Sequence, residues 1–251
     1  MKYLLSLFIG CLLSASCARP DRNVYEYGGI VRTDTVRPQI SLIFTAADRA
    51  DGAATIINTL KRHNIKGSFF FTGEFFHLFP DIVKRLRTEG HYVGSHSYGH
   101  LLYCSWDDRQ RTLVTKDEFM RDLEKSYAQL AEFGISKADA PLFVPPYEYY
   151  NDSISAWTAE MGLRLVNYTG GTLTNGDYTT PEMKNYYSSQ RIFDHVMRLE
   201  AERGMNGYIL LIHLGTDEAR TDKFYDGYLD RLIETLQRRG YRFVPLREAV
   251  G

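Results

Sequence analysis

Cysteine is nearly absent from the part of this chain that folds. Of three cysteines in 251 residues, Cys11 and Cys17 sit in the N-terminal leader, which leaves Cys104 with no internal partner. No internal disulfide can form, so a buried apolar core has to carry the stability. Long hydrophobic runs are missing as well: the run from Leu4 to Leu13 falls short of the ~20 residues that a membrane-crossing helix needs. Neither charge is in excess. Lys and Arg number 30 against 31 Asp and Glu, a formal charge of −1, and this excludes the basic footprint of a nucleic-acid binder. No internal repeat or low-complexity block interrupts the chain.

What is present begins with a leader. Met1-Lys2-Tyr3 and the apolar run after it read as a secretory signal. Ser14-Ala15-Ser16 then place small side chains before Cys17, as at a lipoprotein processing site where that cysteine becomes the lipidated first residue; ordinary cleavage near Ala18 is the alternative. Residues 1–17 are therefore read as a signal peptide of lipoprotein type, outside the folded domain, and the protein is expected to be exported to the cell envelope and, where Cys17 is lipidated, held on a membrane through it. Polar residues 18–37, with Gly28-Gly29, read as a tether, and 38–251 as one domain. Its 44% hydrophobic content is enough for a substantial core. Eighteen Tyr and 14 Phe mostly pack that core, with some rings left over for stacking on sugars.

Strand-like and helical patterns alternate along the domain. Strands are expected at 40–45, 68–72, 92–94, 142–144, 163–167, 208–213 and 241–244, with helices near 54–63, 80–89, 115–133, 151 onward, 191–203 and 223–239. Thr115 with Glu118 forms a capping-box pattern, and Asn151 or Asp152 can cap the next helix. Alternation of this kind implies parallel β/α units, either closed into an irregular barrel or left as an open sheet.

Chemistry-bearing residues gather just after the C-terminal ends of these strands. Asp48 follows the first, His96 and His100 the third, Pro145 to Glu148 the fourth, Asn167 the fifth, and His213 ends the sixth. In a parallel β/α fold those ends share the face where active sites are built. His96 and His100, four apart, are expected on one side of a helical turn with both rings reaching one divalent ion, zinc foremost by ligand type. His63, His77 and His195 fall on helical or loop patterns away from this face and are expected at the surface, and His91, just before its strand, reads as structural or as support behind the site.

With these residues in place, 38–247 resembles the polysaccharide deacetylase (NodB-homology) family, the fourth family of carbohydrate esterases. Ile65 to Gly73 is similar to its second strand and Glu89 to His100 to its histidine motif. Phe143 to Tyr147 looks like its proline-tyrosine motif, and Leu210 to His213 like its leucine-histidine motif. The resemblance implies a distorted (β/α) barrel of about seven parallel strands, a divalent metal, and removal of acetyl groups from a polysaccharide or oligosaccharide, usually at an N-acetylamino sugar.

Two departures stand out. The family's first motif is an Asp-Asp pair, base and metal ligand, and this chain has Thr45-Ala46 there; the arginine that orients the base is Val144. Asp48, displaced by about two residues in that alignment, becomes the expected third ligand beside His96 and His100. Glu148 is the expected replacement base, or else a carboxylate facing the dipole of the following helix. By resemblance His213 protonates the leaving amine or helps hold the oxyanion, and the Tyr147 backbone is the donor to the acetyl oxygen, with Pro146, Tyr147 and Asn167 assigned to substrate binding. A non-catalytic carbohydrate-binding protein on the same fold, and a metal hydrolase for an O-acetyl ester or another C–N bond, are the rival readings.

Overall fold

A computed structural model describes residues 21–251; the leader and Cys17 lie outside the described residues. The strands in chain order are β1 (Val24–Glu26), β2 (Gly29–Arg32), β3 (Gln39–Ala46), β4 (Ser68–Phe71), β5 (Tyr92–Ser95), β6 (Leu142–Phe143), β7 (Arg164–Leu165), β8 (Tyr208–His213) and β9 (Arg242–Phe243). The helices are α1 (Ala53–Arg62), α2 (Gly73–Leu78), α3 (Pro80–Thr88), α4 (Lys116–Glu132), α5 (Asp152–Glu160), α6 (Ser189–Arg203), α7 (Tyr228–Arg238) and α8 (Leu246–Ala249). All seven expected strands form; β1, β2 and the short helices α2 and α8 are additions. α7 starts five residues later than its pattern suggests.

The sheet order is β1-β2-β8-β3-β4-β5-β6-β7, with β9 beside the start of β3. From β3 onward every pairing is parallel, while β2 runs antiparallel to β8. A bridge from Ile30 to Val166, and the Asn167 N–H donating to the Ile30 carbonyl at 2.8 Å, bring the two ends of the sheet together. The strands thus curl into a distorted barrel. β6 is short because Pro141, Pro145 and Pro146 around it have no N–H to give to a ladder.

Strand alternation divides the core in two. Ile43, Phe70, Leu142, Val144, Val166, Ile209 and Leu211 fill the barrel, and Leu246 and Val250 close its lower end. Outside, Leu42, Phe44, Phe69 and Phe71 meet apolar helix faces such as Ile56, Ile57 and Leu60 of α1 and Leu229, Leu232, Ile233 and Leu236 of α7. The Thr115–Glu118 capping box starts α4, and Asn151 caps α5 by accepting the Ile154 N–H at 3.2 Å.

The tether expected over 18–37 is corrected from Val24 onward. Tyr27 (φ 45°) and Gly28 (φ 75°) make a two-residue turn with positive φ at both positions, the geometry that matches strand twist in a hairpin. Gly29 then packs so tightly that a Cβ there would lie 2.5 Å from Leu165 Cδ2 and from Tyr150 Oη. The two glycines that suggest a linker are there for a turn and a close approach.

Candidate active site

A cavity of about 460 Å³ opens where β3, β5, β6 and β8 end, lined by Thr45, Asp48, His96, His100, Tyr147, Glu148 and His213 among others. Asp48, His96, His100, Tyr147, Glu148 and His213 are thereby brought together as expected. Pro146 and Asn167 are not among the lining residues. Pro146 is buried, and Asn167 donates from Nδ2 to the Glu148 carbonyl at 2.8 Å while its Oδ1 accepts the Tyr168 N–H at 2.8 Å. The substrate-binding role assigned to Asn167 is corrected: its amide is committed to backbone and holds the Glu148 turn. His77 is exposed, as expected of a surface histidine, but it lines a neighbouring cleft with Glu74, Tyr98 and His100 on this same face rather than lying away from it.

The helical turn expected at the histidine pair does not form; residues 96–100 are a loop. Ser97 (φ 70°) and His100 (φ 51°) are left-handed, and this reversal brings the two rings to a centroid separation of 5.0 Å. A buried carboxylate on α4 fixes the loop: Asp122 accepts the Tyr98 N–H at 2.9 Å and the Gly99 N–H at 2.8 Å, while Ser97 Oγ accepts the His100 N–H at 2.9 Å. Asp122 was invisible in the sequence because its partners lie 23 and 24 residues away.

His96 Nδ1 lies 2.8 Å from the Val144 carbonyl oxygen. The carbonyl can only accept, so Nδ1 carries the proton and Nε2 presents a lone pair to the cavity. Burial first, and the His100 charge next, hold His96 well below the usual histidine range; burial likewise lowers His100 to about 4. Both rings are neutral at pH 7, the form that binds metal. Val144, which stands where the resemblance places an arginine, thus contributes its backbone rather than a charge.

Glu148 comes from a turn with two successive left-handed residues, Tyr147 (φ 58°) and Glu148 (φ 52°), each costing on the order of 1–3 kcal/mol. Its side chain is only 13% exposed, and Oε1 lies 3.8 Å from His96 Nε2. Burial raises its carboxyl to about 7, with the His213 charge pulling the other way.

Across the cavity His213 meets Asp177, a residue the sequence reading passed over. Asp177 Oδ1 is 2.6 Å from His213 Nδ1, and Oδ2 accepts the His213 N–H at 3.0 Å. Burial would lower the His213 pKa, but the Asp177 charge and hydrogen bond outweigh it and the pKa rises. The pairing also fixes the tautomer, turning Nε2 toward the cavity. Asp177 lies in the loop after Thr174–Gly176, 36 residues from its partner, with no local pattern to mark it.

Asp51, the other carboxylate of the β3–α1 turn, is bound to the Thr216 N–H (2.9 Å), Lys223 Nζ (3.1 Å) and the Tyr225 hydroxyl. Asp48 lines the cavity from an exposed position, and among the described residues no hydrogen bond or ion pair restrains its side chain. No three His, Cys, Asp or Glu side chains among the described residues already close round one point. The donor set still suits a divalent cation: two fixed neutral imidazoles, one anchored through Nδ1, beside an unrestrained carboxylate. At the cavity mouth Trp106 is 60% exposed and Tyr147 47%, their ring centroids 5.9 Å apart.

The sequence profile of the family described as Polysaccharide deacetylase matches residues 32–166. A peptidoglycan-N-acetylglucosamine deacetylase of Bacillus cereus is 27% identical over 213 residues, covering 84% of this chain and 67% of the relative. A solved peptidoglycan N-acetylglucosamine deacetylase, in complex with 4-naphthalen-1-yl-N-oxidanyl-benzamide, aligns with a TM-score of 0.71 at 25% identity over 89% of this chain and 92% of that one. A CE4 family pseudoenzyme from Bacillus anthracis aligns with a TM-score of 0.70 at 19% identity over 90% and 70% of the two chains, which shows the fold alone.

Proposed function

This chain belongs to the polysaccharide deacetylase family, and from that membership we propose that it is a metal-dependent hydrolase removing acetyl groups from an acetylated glycan, an N-acetyl sugar foremost. The observation that carries the reading is the buried Glu148 carboxylate 3.8 Å from His96 Nε2, its pKa lifted to about 7. A general base works best when its pKa lies near the working pH.

His96, His100 and Asp48 are the residues that would hold the cation. Bound there, a divalent ion such as zinc would supply Lewis acidity for the acetyl carbonyl and acidify a water molecule. Glu148 takes the proton of the attacking water as its oxygen bonds to the acetyl carbon. The Tyr147 N–H donates to the carbonyl oxygen as negative charge builds on it. His213, its pKa raised by Asp177, then gives its proton to the sugar nitrogen as the C–N bond breaks, leaving a free amine and acetic acid. Trp106 and Tyr147 offer ring faces to the pyranose at the cavity mouth. The leader pattern at 1–17 supports an exported protein anchored at Cys17, acting on an envelope or extracellular glycan.

Acetate release from N-acetylated and O-acetylated glycans, measured with zinc, with cobalt and without metal, tests this reading. Metal-dependent release from N-acetylglucosamine oligomers is expected. Release from O-acetyl substrates alone moves the assignment to an esterase, and no release with retained glycan binding moves it to the carbohydrate-binding reading.

A further inference from the structure

Arg220 is wholly buried, and its charge has no close partner. Among the described residues the one carboxylate within 4.0 Å is Asp222. Its Oδ2 already accepts the Ser189 N–H at 2.6 Å and the Tyr186 hydroxyl at 3.3 Å. A buried charge without a contact ion pair is costly, and an apolar side chain of similar volume avoids that cost. Packing therefore does not account for an arginine here.

Its hydrogen bonds show what it holds. Nη1 donates to the Thr179 carbonyl at 2.5 Å, and Nη2 donates to the Tyr187 carbonyl at 3.1 Å and to Ser189 Oγ at 3.2 Å. These acceptors lie near the two ends of residues 177–188, which run from the Thr174–Gly176 turn to α6 with no helix or strand between. A segment without a ladder must find donors for its carbonyls elsewhere. The planar guanidinium supplies them in a rigid fork that joins both ends, a geometry that the single ammonium of a lysine does not offer. Arg220 is itself fixed in the β8–α7 loop, where its N–H donates to the Asp217 carbonyl at 3.0 Å.

The joined segment forms part of the site. Thr179 follows Asp177 and Tyr178, and its N–H and hydroxyl both donate to the Gly176 carbonyl, at 3.1 and 2.7 Å. Asp177 thus sits in a tight turn whose exit Arg220 holds. Tyr178 lines the cavity, its ring centroid 4.8 Å from that of His213. We infer that Arg220 is a positioning residue, whose guanidinium closes the neck of this loop and so keeps Asp177 on His213 and Tyr178 on the cavity wall. This inference rests on the proposed deacetylation, in which His213 is the acid.

Arg220 acts on His213 in two senses. By holding Asp177 it keeps the partner that raises the His213 pKa, while its own positive charge lowers that pKa. Glu148 also raises it, and His96 and His100 share the cavity. A lysine at 220 keeps the charge and loses the fork, so it separates the two senses.

The test compares Arg220→Lys with Arg220→Met, which loses charge and fork together, and with Asp177→Asn. Readouts are kcat and the pH profile of kcat/KM for acetate release from an N-acetylglucosamine oligomer with zinc, and the thermal midpoint of each protein. Arg220→Lys should lower kcat about 10- to 100-fold, the size of a small misplacement of a reacting group. Its alkaline limb should move toward lower pH, as in Asp177→Asn. Both changes act on one contact, so adding Arg220→Lys to Asp177→Asn should lower kcat by less than about threefold more. A lower midpoint with parental kcat and an unmoved limb assigns Arg220 to stability alone and overturns the role. Losses that multiply in the double variant overturn it too, as does a limb unmoved in Arg220→Lys and shifted to higher pH in Arg220→Met, which would leave only the charge acting. Should Arg220→Lys not fold, Ser189→Ala takes one acceptor from the guanidinium and should lower kcat about two- to fivefold with the limb moved the same way; parental values there overturn the role. A parent that releases no acetate overturns the deacetylase reading and this role with it, whereas an active parent with indifferent Arg220 variants overturns this role alone.

Discussion

Glu148 and His213 divide the proton work of the proposed reaction, and the surroundings raise the pKa of both for different reasons. Burial raises Glu148 to about 7, while at His213 the Asp177 charge and hydrogen bond outweigh burial and raise the pKa. Glu148→Gln preserves shape and removes the base, so turnover should fall by about 10²- to 10⁴-fold with zinc content unchanged by elemental analysis. Turnover equal to the parent's removes Glu148 from the mechanism. Asp177→Asn withdraws the charge that raises the His213 pKa. The acid form of His213 then disappears at lower pH, and the alkaline limb of the kcat/KM profile should move toward lower pH; a limb that stays in place assigns the acid elsewhere.

At the scale of elements, two turns carry more than their sequences suggest. The β1–β2 hairpin joins the sheet to β8 and to the end of β7, and Gly29 lies against Leu165 and Tyr150. Gly29→Val should cost about 1–3 kcal/mol through overpacking, read as a lower urea midpoint; a variant as stable as the parent would mean the hairpin is not tied to the barrel. The α3–β5 turn holds His91, whose Nδ1 accepts the Gly67 N–H at 3.1 Å and whose ring meets Phe69 edge-on. Burial, and then the Lys66 charge, lower its pKa from 6.5 to about 4. Between those values the unfolded chain binds the proton that the folded chain refuses, so stability falls as pH drops from 6.5 toward 4. The full loss is on the order of 3 kcal/mol at about 1.36 kcal/mol per pH unit. His100 adds a loss in the same direction, so the contribution of His91 is the difference between parent and His91→Gln. Denaturant titrations across this range should show a flatter pH dependence in the variant, and parallel curves would reject the assignment.

For the whole molecule, the proposed cation links the site to stability. An ion that binds only the folded protein stabilises it by about 2.7 kcal/mol at 100 times its Kd. Zinc should therefore raise the thermal midpoint of the parent, and the rise should vanish in the His96→Ala, His100→Ala double variant, whose own fold survives because the apolar core of the barrel is untouched. An equal rise in parent and double variant would locate the ion at other residues.

The order of β/α units was legible because it rests on local physics. Apolar runs such as Leu42-Ile43-Phe44 and Ile209 to Ile212 read as buried strands, and Thr115, Glu118 and Asn151 mark helix starts through hydrogen bonds made within three residues. From that order alone, His96, His100, Glu148 and His213 fall on one face, since parallel strands share their C-terminal end. Tertiary structure decided what depends on residues distant in the chain. It turned the polar segment with Gly28-Gly29 into a strand pair, because tight turns and close packing use the same residues as linkers. It gave His213 its partner Asp177 and tied the histidine loop to Asp122, and it drew Asn167 away from substrate to the Glu148 carbonyl. It also buried the Thr45 hydroxyl without a hydrogen-bond partner among the described residues. Each of these rests on the direction of a side chain across a gap closed only by the fold, and composition and periodicity carry no record of that direction.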